Sequence, residues 1–512
     1  MTKLTSELKE QLHNVENARV VKDEGRGRWF TGSEIAHDVH ILTRELRRAN
    51  IGKDDVVFMS LQNAAVYLPI NQALWYMGAT VHPIAPSTGM DGLRADFQEF
   101  DYPAMLLDAP RAAAFADIDY LEQKPLDDLL MFPGLVLLRN KHHTAPASTD
   151  APNEQTLGMI LNTSGTTGKP KRVGLTHQMM INAARNDMAS HELSPADTVL
   201  IVMPMFHINA QLVLVLSSFL AGGKMVIAPK FSASRFWPQV LNNDVTWSSV
   251  VPTIVTILLK NEAANAAYRP EHKLRFVRCA SSMLTLGHHQ EFVRRFNTPI
   301  LEGYGMTEAC SQCTLNPLNA IKMGSAGKPY NTDVAIVNGA EFVQTPDFSG
   351  EIAIRGNHVI TDYLDSRPDD FKDGWLLTGD LGYFDEDGYL WLKGRSKDII
   401  NRGGEKVSPT RVEGVIEELD FVKNVAVVPV SDEIYGEAVA AAIIDESSDA
   451  RTHAAHAAQI RALTTAKLAN FERPSQIYFL QNFPMNPTGK ILRPQLSRLL
   501  EQTEEEESQC VE

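Results

Sequence analysis

The residues best suited to chemistry lie in one short stretch, Leu161-Asn162-Thr163-Ser164-Gly165-Thr166-Thr167-Gly168-Lys169-Pro170-Lys171. It follows an apolar run, Leu157 to Leu161, which predicts a buried strand. Glycine lets backbone N–H groups converge on one point, and such a nest binds anions. Hydroxyl side chains add short donors, and lysine adds positive charge. The composition therefore predicts a loop that binds phosphate oxygens.

This loop does not follow the Walker A pattern, in which four residues separate the first glycine from Gly-Lys-Ser/Thr. Thr163 stands where that glycine should be, and Pro170 follows Lys169. A flexible Ser/Thr/Gly linker is the alternative interpretation, but linkers rarely lie between apolar strands. We therefore interpret the stretch as a phosphate loop of another kind.

Further stretches carry side chains that are unusual for their position. They offer carboxylates, an arginine, a lysine or a glycine pair at predicted strand ends and turns: Glu302 to Glu308, Trp375 to Asp380, Gly394-Arg395, Asn401 to Glu405 and Asn486 to Lys490. Ligands bind at strand ends in parallel α/β sheets. Singly, each stretch has a structural interpretation as a turn or a solvated side chain. Together with the loop, they predict a nucleotide site with phosphate, adenine, ribose and metal contacts.

The elements that must position these residues alternate between strand and helix. Thr31 to Glu34 fits a capping box at the start of a helix. Val56 to Met59, Thr198 to Met203 and Thr246 to Val250 predict buried strands with helical segments between them. This alternation is typical of α/β folds with parallel strand pairing.

The composition changes along the last third of the chain. Short strands joined by turns after Gly350 predict a β-barrel-like module, and a polar break near residue 395 predicts a domain boundary. Beyond it, Pro409 to Leu419 predicts a helix with Glu413 on its solvent side. We therefore predict an α/β multidomain chain. Its large N-terminal domain, residues 1–394, contains α/β sheets plus the β-barrel-like module, and its small mobile α+β C-terminal domain, residues 395–512, ends in an acidic tail.

The net charge, the cysteine content and the apolar segments of the chain argue against several classes of function. The 512-residue chain has a net charge of −15, which disfavours binding to nucleic acid or anionic membranes. Its 4 cysteines do not make a disulfide framework, and we interpret Cys310 and Cys313 as free thiols. Neither a signal peptide nor a membrane span is evident, so we expect a cytoplasmic protein.

The ordered motifs, from about Thr31 to Arg493, resemble the adenylate-forming superfamily of acyl-CoA synthetases, adenylation domains of peptide synthetases and luciferases. Arg172 departs from the family pattern, since it replaces the usual glycine. The resemblance implies that a carboxylate and ATP give an acyl adenylate and pyrophosphate, and that CoA then gives acyl-CoA and AMP. It implies Mg²⁺ as cofactor, with ATP and CoA as co-substrates and a small-molecule carboxylate as substrate. It leaves open whether the protein is a homodimer.

The resemblance also implies individual roles. ATP or AMP is bound by Thr163, Ser164, Gly165, Thr166, Thr167, Gly168, Lys169, Ser281, Gly303, Tyr304, Asp380 and Arg395. The catalytic residues are Lys490, Thr307, Glu308 and His207, with Glu308 and Thr163 holding the metal. Lys397 is the hinge, and Gly403 and Gly404 line the CoA tunnel. The acyl pocket is lined by His207, Asn209, Ala280, Met283 and Cys310.

Shorter stretches of the chain resemble particular groups of CoA ligases, and these resemblances bear on which acid is the substrate. Phe231 to Pro238 and Asn401 to Pro409 look like oxalate–CoA ligases, and Met203 to Gln211 also looks like carnitine/crotonobetaine–CoA ligases. However, Asn209 and Ser311 stand where the oxalate enzymes tend to carry histidine, and a dianion needs donor-rich contacts. We therefore expect a short- or medium-chain carboxylic acid, with oxalate as the alternative.

Other classes of protein share parts of this pattern. They are a carrier-protein adenylating enzyme, a light-emitting oxygenase and a non-catalytic nucleotide-binding protein. The last would not need both Lys490 and the Gly403-Gly404 passage, so their joint presence favours the ligase.

Overall fold

The computed structural model describes residues 1–100, 102–144, 147–163, 171–445, 447, 449–485 and 491–509, with side chains to residue 503 in the last helix. The α-helices in these ranges are α1 Lys3–Asn14, α2 Gly32–Arg48, α3 Tyr67–Met77, α4 Met90–Glu99, α5 Ala109–Ala113, α6 His177–Ser190, α7 Ser217–Leu220, α8 Ala233–Asn242, α9 Pro252–Lys260, α10 Glu262–Ala267, α11 Leu286–Phe296, α12 Pro409–Ile416, α13 Ala450–Lys467 and α14 Arg493–Gln509. Among the described residues, no helix is both long and apolar enough to cross a bilayer.

The strands are short, as expected for sheets covered by helices. They are β1 Arg19–Asp23, β2 Arg28–Thr31, β3 Val56–Ser60, β4 Thr80–Pro83, β5 Ala104–Asp108, β6 Leu121–Pro125, β7 Leu135–Asn140, β8 Leu157–Thr163, β9 Lys171–Thr176, β10 Thr198–Ile201, β11 Lys224–Ile227, β12 Trp247–Val250, β13 Phe276–Cys279, β14 Ile300–Tyr304, β15 Thr314–Leu315, β16 Lys328–Pro329, β17 Asp333–Asn338, β18 Glu341–Val343, β19 Gly350–Arg355, β20 Phe371–Lys372, β21 Trp375–Phe384, β22 Leu390–Arg395, β23 Ile400–Arg402, β24 Glu405–Val407, β25 Asn424–Asp432, β26 Gly436–Ile444 and β27 Gln476–Phe479.

Two of the sheets follow the predicted strand–helix alternation. A nine-stranded sheet has the order β16-β15-β14-β13-β12-β10-β11-β1-β2, and a seven-stranded sheet has the order β6-β7-β5-β3-β4-β8-β9. The pairs β10–β11, β10–β12, β12–β13 and β13–β14 are all parallel. Parallel strands covered on both faces are almost wholly apolar, and Val199, Leu200 and Ile201 of β10 have no exposed surface. The predicted α/β class is confirmed.

Helix α2 shows how local sequence sets an element. The Thr31 hydroxyl accepts a hydrogen bond from the backbone N–H of Glu34, and the Glu34 carboxylate accepts one from the N–H of Thr31. This is the predicted capping box. Ile35 and Leu42 on the apolar stripe are fully buried.

The chain forms two compact units. The first comprises residues 1–284, 288–334 and 354–377, and the second comprises 285–287, 335–353 and 378–512. A six-stranded sheet, β18-β17-β19-β21-β20 with β22 paired to β21, forms from the region predicted to be barrel-like. The expected boundary at residue 395 stays a prediction.

A five-stranded sheet forms the core of the second unit. Its order is β24-β23-β26-β25, with β27 paired to β26. Alternate residues of β25 pack on opposite faces: Val425 and Val427 join one apolar cluster, and Ala426 and Val428 join another. The sheet is therefore buried on both sides, which explains the continuous apolar run in its sequence.

The predicted orientation of Glu413 is wrong. Glu413 of α12 is 9% exposed, and its carboxylate accepts hydrogen bonds from both terminal nitrogens of Arg493, at 2.6 and 3.1 Å. It also accepts one from the N–H of Val427 at 2.7 Å. Helical spacing placed this residue on the solvent side, but a partner eighty residues later in the chain turns the position into a buried ion pair.

We predict that Arg493→Met destabilises the second unit. The substitution keeps the aliphatic stem and leaves the Glu413 carboxylate buried without its bidentate partner, which costs about 3–5 kcal/mol of unfolding free energy. Native-state hydrogen exchange of the β25 amides measures this change. The control is Arg498→Met, on the exposed side of the same helix. Equal destabilisation by both variants would contradict the assignment.

Candidate active site

The described strands define the base of the predicted phosphate loop. Thr163 at the end of β8 pairs with Lys171 at the start of β9. The predicted nucleotide-binding residues Ser164, Gly165, Thr166, Thr167, Gly168 and Lys169 lie outside the described residues. The two cations that follow the loop are held by carboxylates: Lys171 Nζ lies 2.6 Å from Asp370, and Arg172 lies 2.8 Å from Asp365. The family departure at Arg172 is thus a surface ion pair beyond the loop.

The next group of predicted residues lies at the end of β14 and directly after it. Gly303 and Tyr304 pair with Leu315 and Thr314 of β15, and Tyr304 is 7% exposed. The chain then reverses in a 3₁₀ turn, Thr307–Ala309, that contains the predicted Thr307 and Glu308. A side chain at Gly305 would collide with the carbonyl oxygen of Ser311, so only glycine permits this close reversal.

Glu308 is held by a tyrosine that sequence reasoning missed. The Tyr363 hydroxyl donates to Glu308 Oε1 at 2.9 Å, and both residues are 5% exposed. The Nζ of Lys171 lies 4.5 Å from the centre of the Tyr363 ring. Burial and the Glu308 charge raise the pKa of Tyr363, so its hydroxyl stays protonated and donates. Tyr363 therefore contacts both the turn that carries Glu308 and the base of the predicted phosphate loop, and no sequence motif marked it.

Glu308 fits a hard cation. Mg²⁺ prefers oxygen ligands, and proteins usually bind it through one or two carboxylates with substrate phosphates completing the shell. The buried Glu308 carboxylate, beside the base of the predicted phosphate loop, is suited to be such a ligand, and Thr163 lies at that same base. In the described part of the chain, no group of three or more His, Cys, Asp or Glu could hold a metal ion by itself. This finding is consistent with a metal site in which substrate phosphates supply the remaining ligands.

The predicted acyl-pocket residues lie at three places in the first unit. Ala280, 7% exposed, follows β13, and Met283 is 40% exposed. Between them, Ser281 has φ = 78°, a strained conformation for a residue other than glycine, and such strain clusters at functional sites. Cys310 is fully buried, and burial raises the pKa of its thiol, so it is an uncharged lining group.

Asn209 begins a π-helical segment, Asn209–Leu216, and His207 lies two residues before it. Such segments are frequent at functional sites. Burial lowers the pKa of His207 to about 4, so its imidazole is neutral at physiological pH. The Nε2 of His207 and the Oδ1 of Asn209 are buried with no partner among the described residues. Both atoms are therefore suited to contact a bound polar group.

In the second unit, the structure brings the predicted ribose-binding pair together. Asp380 and Arg395 are opposite each other on β21 and β22, and Arg395 Nε donates to Asp380 Oδ1 at 2.9 Å. Asp380 is 8% exposed, whereas the Arg395 side chain is 41% exposed. The predicted hinge residue Lys397 lies exposed in the turn directly after β22.

Gly403 and Gly404 form the two-residue turn of the β23–β24 hairpin, with φ of 59° and 95°. Two consecutive positive φ values are typical of the hairpin turn that favours Gly-Gly. The turn itself therefore requires these glycines, and their tunnel role stays a prediction.

Lys490 lies outside the described residues, but both flanks of its segment are defined. Met485 bridges Ile491, and the N–H of Leu492 donates to the carbonyl of Pro484 at 2.8 Å. Arg493, clamped to Glu413, follows at once. The ends of the Lys490 segment are thus joined to each other and anchored to the sheet of the second unit.

The sequence and the fold both match known proteins. The sequence matches the family model of the AMP-binding enzyme over residues 8–364 and that of the AMP-binding enzyme C-terminal domain over residues 411–490. It is 33% identical over 472 residues to an oxalate–CoA ligase of Arabidopsis thaliana, covering 88% of this chain and 89% of that protein. It is 28% identical over 518 residues to a crotonobetaine/carnitine–CoA ligase of Proteus mirabilis, covering 92% and 94%. The solved structure of ATP-bound MatB from Rhodopseudomonas palustris has a similar fold, with a TM-score of 0.84 at 22% identity over 97% of this chain and 98% of that one.

The chain therefore belongs to the AMP-binding enzyme family, the adenylate-forming enzymes that the motif order predicted. It is an AMP-forming acyl-CoA synthetase, an ATP-dependent acid–thiol ligase. The predicted fold class and reaction class are confirmed, and the individual residue roles remain predictions.

We predict that Tyr363→Phe weakens the use of Mg²⁺. The variant keeps the ring beside Lys171 and removes one donor from Glu308, and loss of such a supporting hydrogen bond typically costs about 10- to 100-fold in metal affinity or activity. The Mg²⁺ midpoint of ATP–pyrophosphate exchange should rise accordingly. Tyr120→Phe, in the apolar cluster of the seven-stranded sheet, is the control. An unchanged midpoint would show that Tyr363 does not position Glu308.

Proposed function

We propose that this ligase activates a short- or medium-chain carboxylic acid, using Glu308 as the metal carboxylate and Lys490 as the catalytic cation. The observation that supports it most directly is the buried Glu308, bonded to Tyr363 beside the base of the phosphate loop. A buried carboxylate next to a predicted phosphate-binding loop is a suitable ligand for the Mg²⁺ that accompanies ATP.

The first half-reaction makes a good leaving group. An oxygen of the acid attacks the α-phosphorus of ATP, the bond from that phosphorus to the bridging oxygen breaks, and pyrophosphate leaves. The chain mainly positions groups and neutralises charge. Thr307 contacts the α-phosphate, Tyr304 stacks on adenine, and Asp380 accepts hydrogen bonds from the ribose hydroxyls with Arg395 beside it. Mg²⁺, when bound by Glu308 and Thr163, reduces the negative charge of the phosphates.

The second half-reaction transfers the acyl group. The CoA sulfur attacks the carbonyl carbon, the mixed anhydride bond breaks, and AMP departs. In this proposal the C-terminal domain, residues 395–512, turns about Lys397, withdraws Lys490 and brings the Gly403-Gly404 turn to the pantetheine arm. Gly404 has open space where a side chain would lie, which suits a passage for a thin chain.

The acyl-pocket residues favour a monocarboxylate over oxalate. His207 is neutral at physiological pH, since its pKa is lowered to about 4, and Asn209, Ala280, Met283 and Cys310 bring no positive charge. A dianion in such surroundings would lack charge-assisted partners. Oxalate remains the second candidate, because it is the acid used by the 33%-identical relative.

The test is an acid-dependent ATP–pyrophosphate exchange over straight-chain acids and oxalate, followed by CoA-dependent AMP release. We expect exchange with one or more monocarboxylates, and AMP release only after CoA is added. A comparison of CoA with pantetheine as acceptor separates the ligase from a carrier-protein adenylating enzyme. Failure of every acid in both assays would refute the proposed function.

The division of labour between half-reactions can be tested by substitution. Lys490→Ala should lose adenylation and still convert a supplied acyl adenylate to the thioester. Gly404→Leu should do the reverse, because its side chain enters the passage.

The control for backbone strain is Gly388→Leu. Gly388 has φ = 78° and open space around it, so a leucine there is strained to a similar degree in the β21–β22 turn. It should keep both half-reactions. If Lys490→Ala and Gly404→Leu each lose both half-reactions equally, the two-step use of the second unit is wrong.

A further inference from the structure

A buried polar cluster lies between helix α6 and the nine-stranded sheet. His191, which caps the C-terminal end of α6, packs its ring 5.5 Å from Trp247 and 5.8 Å from Phe276. Trp247 and Phe276 are direct neighbours across β12 and β13. The end of α6 therefore rests on one defined row of the sheet.

The next row on the same face is polar. Ser249 pairs with Arg278, two residues further along each strand, and the Nη1 of Arg278 donates to Ser249 Oγ at 3.3 Å. Asp187 lies four residues before His191, a spacing of about 6 Å along a helix, and two residues of a strand span about 6.6 Å. Asp187 consequently faces Arg278, and the electrostatic interaction between the two side chains agrees with this placement.

The cluster leaves several buried polar atoms without partners. Asp187 and Arg278 are each 1% exposed. Neither carboxylate oxygen of Asp187, nor the Nε of Arg278, has a hydrogen-bond partner among the described residues. The same is true of Gln312 Oε1, on the chain that leaves the Glu308 turn, while its Nε2 donates to Ser190 Oγ at 2.9 Å.

Such atoms are costly unless a bound group satisfies them. An unpaired buried carboxylate loses its hydration without compensation, and native folds satisfy the great majority of buried polar atoms. Burial raises the pKa of Asp187 to about 7 and lowers that of Arg278, which reflects this cost. A group between them must donate to the carboxylate and accept from the guanidinium. A hydroxyl does both, and the opposite charges leave little net attraction for a second carboxylate.

The cluster borders the predicted acyl pocket. Arg278 lies two residues before Ala280, and the charge of Asp187 contributes to the raised pKa of the Cys310 thiol. Both Ala280 and Cys310 are acyl-pocket residues in the proposed function. A substrate longer than two carbons could therefore extend from the reacting carboxylate toward this cluster.

We propose that Asp187 and Arg278 form a polar subsite that binds a hydroxyl group on the distal part of the acid, so that the substrate is a hydroxycarboxylic acid. This inference rests on the proposed function. The sequence carried two signals for it: Arg278 interrupts the apolar strand Phe276 to Cys279, and Asp187 lies on the same helical face as the buried Met180 and Ala184.

The experiment compares matched acids in ATP–pyrophosphate exchange. The probes are 3-hydroxypropanoate, 4-hydroxybutanoate, 5-hydroxypentanoate and 6-hydroxyhexanoate, each with its unsubstituted parent acid and the dicarboxylate of the same length. A site built to bind a hydroxyl discriminates strongly against the analogue without it, so kcat/KM for the fitting hydroxy acid should exceed that of its parent by at least about 100-fold.

The double variant Asp187→Leu/Arg278→Met removes both charges together and leaves no uncompensated ion. Its preference for the hydroxy acid should fall below about 10-fold, through a gain for the parent acid as well as a loss for the hydroxy acid. The control is Asp333→Leu/Arg355→Met, which removes an exposed ion pair of 2.9 Å in the same unit and should retain the preference. The gain for the parent acid also shows that the double variant is folded.

Several results would overturn this inference while the proposed function stands. They are exchange with parent acids as good as with every hydroxy acid, which leaves water as the bound group, a dicarboxylate as the best substrate, or an undiminished preference in the double variant. Absence of exchange with any acid would instead refute the ligase proposal itself.

Discussion

The Glu308 carboxylate is almost fully buried, and several neighbouring elements of the first unit are arranged around it. It lies on a 3₁₀ turn that can form only because Gly305 allows the chain to fold back against Ser311. Tyr363, from a distant part of the chain, supplies one hydrogen bond and also packs against Lys171 at the base of the phosphate loop. Burial of one charge thus links strand β14, the loop base and the segment around residue 363. We base the proposed metal-assisted reaction of ATP on this link.

In the second unit, buried carboxylates are paired with arginine side chains. Glu413 is buried against Arg493, and Asp380 against Arg395. The two pairs differ in exposure: Arg395 is open enough to reach a ligand, whereas Arg493 is largely enclosed and also donates to a backbone carbonyl. A bidentate pair of the second kind orients its segment rigidly. We interpret it as structural support for the Lys490 segment, and the Asp380–Arg395 pair as the one available to a nucleotide.

The cluster of Asp187 and Arg278 departs from these pairs, because its charges face each other without a hydrogen bond between them. Where Glu413 and Asp380 are satisfied by the protein, Asp187 is not. This difference from Glu413, more than burial, is the reason we propose Asp187 as a ligand contact. It also narrows the proposed substrate, because only some carboxylic acids carry a neutral group that both donates and accepts hydrogen bonds.

The sequence by itself determined the class of enzyme and most of the secondary structure. Its signals are local: glycine and hydroxyl residues in one loop, apolar runs of strand length, and a capping box at Thr31. The motif order, which resembled a known superfamily, added the reaction. Only the tertiary structure decided that Glu413 is buried, that Tyr363 supports Glu308, and that Asp187 faces Arg278. Each of these depends on two side chains far apart in the chain, and their burial follows from strand register and helix packing, which periodicity within one segment does not contain.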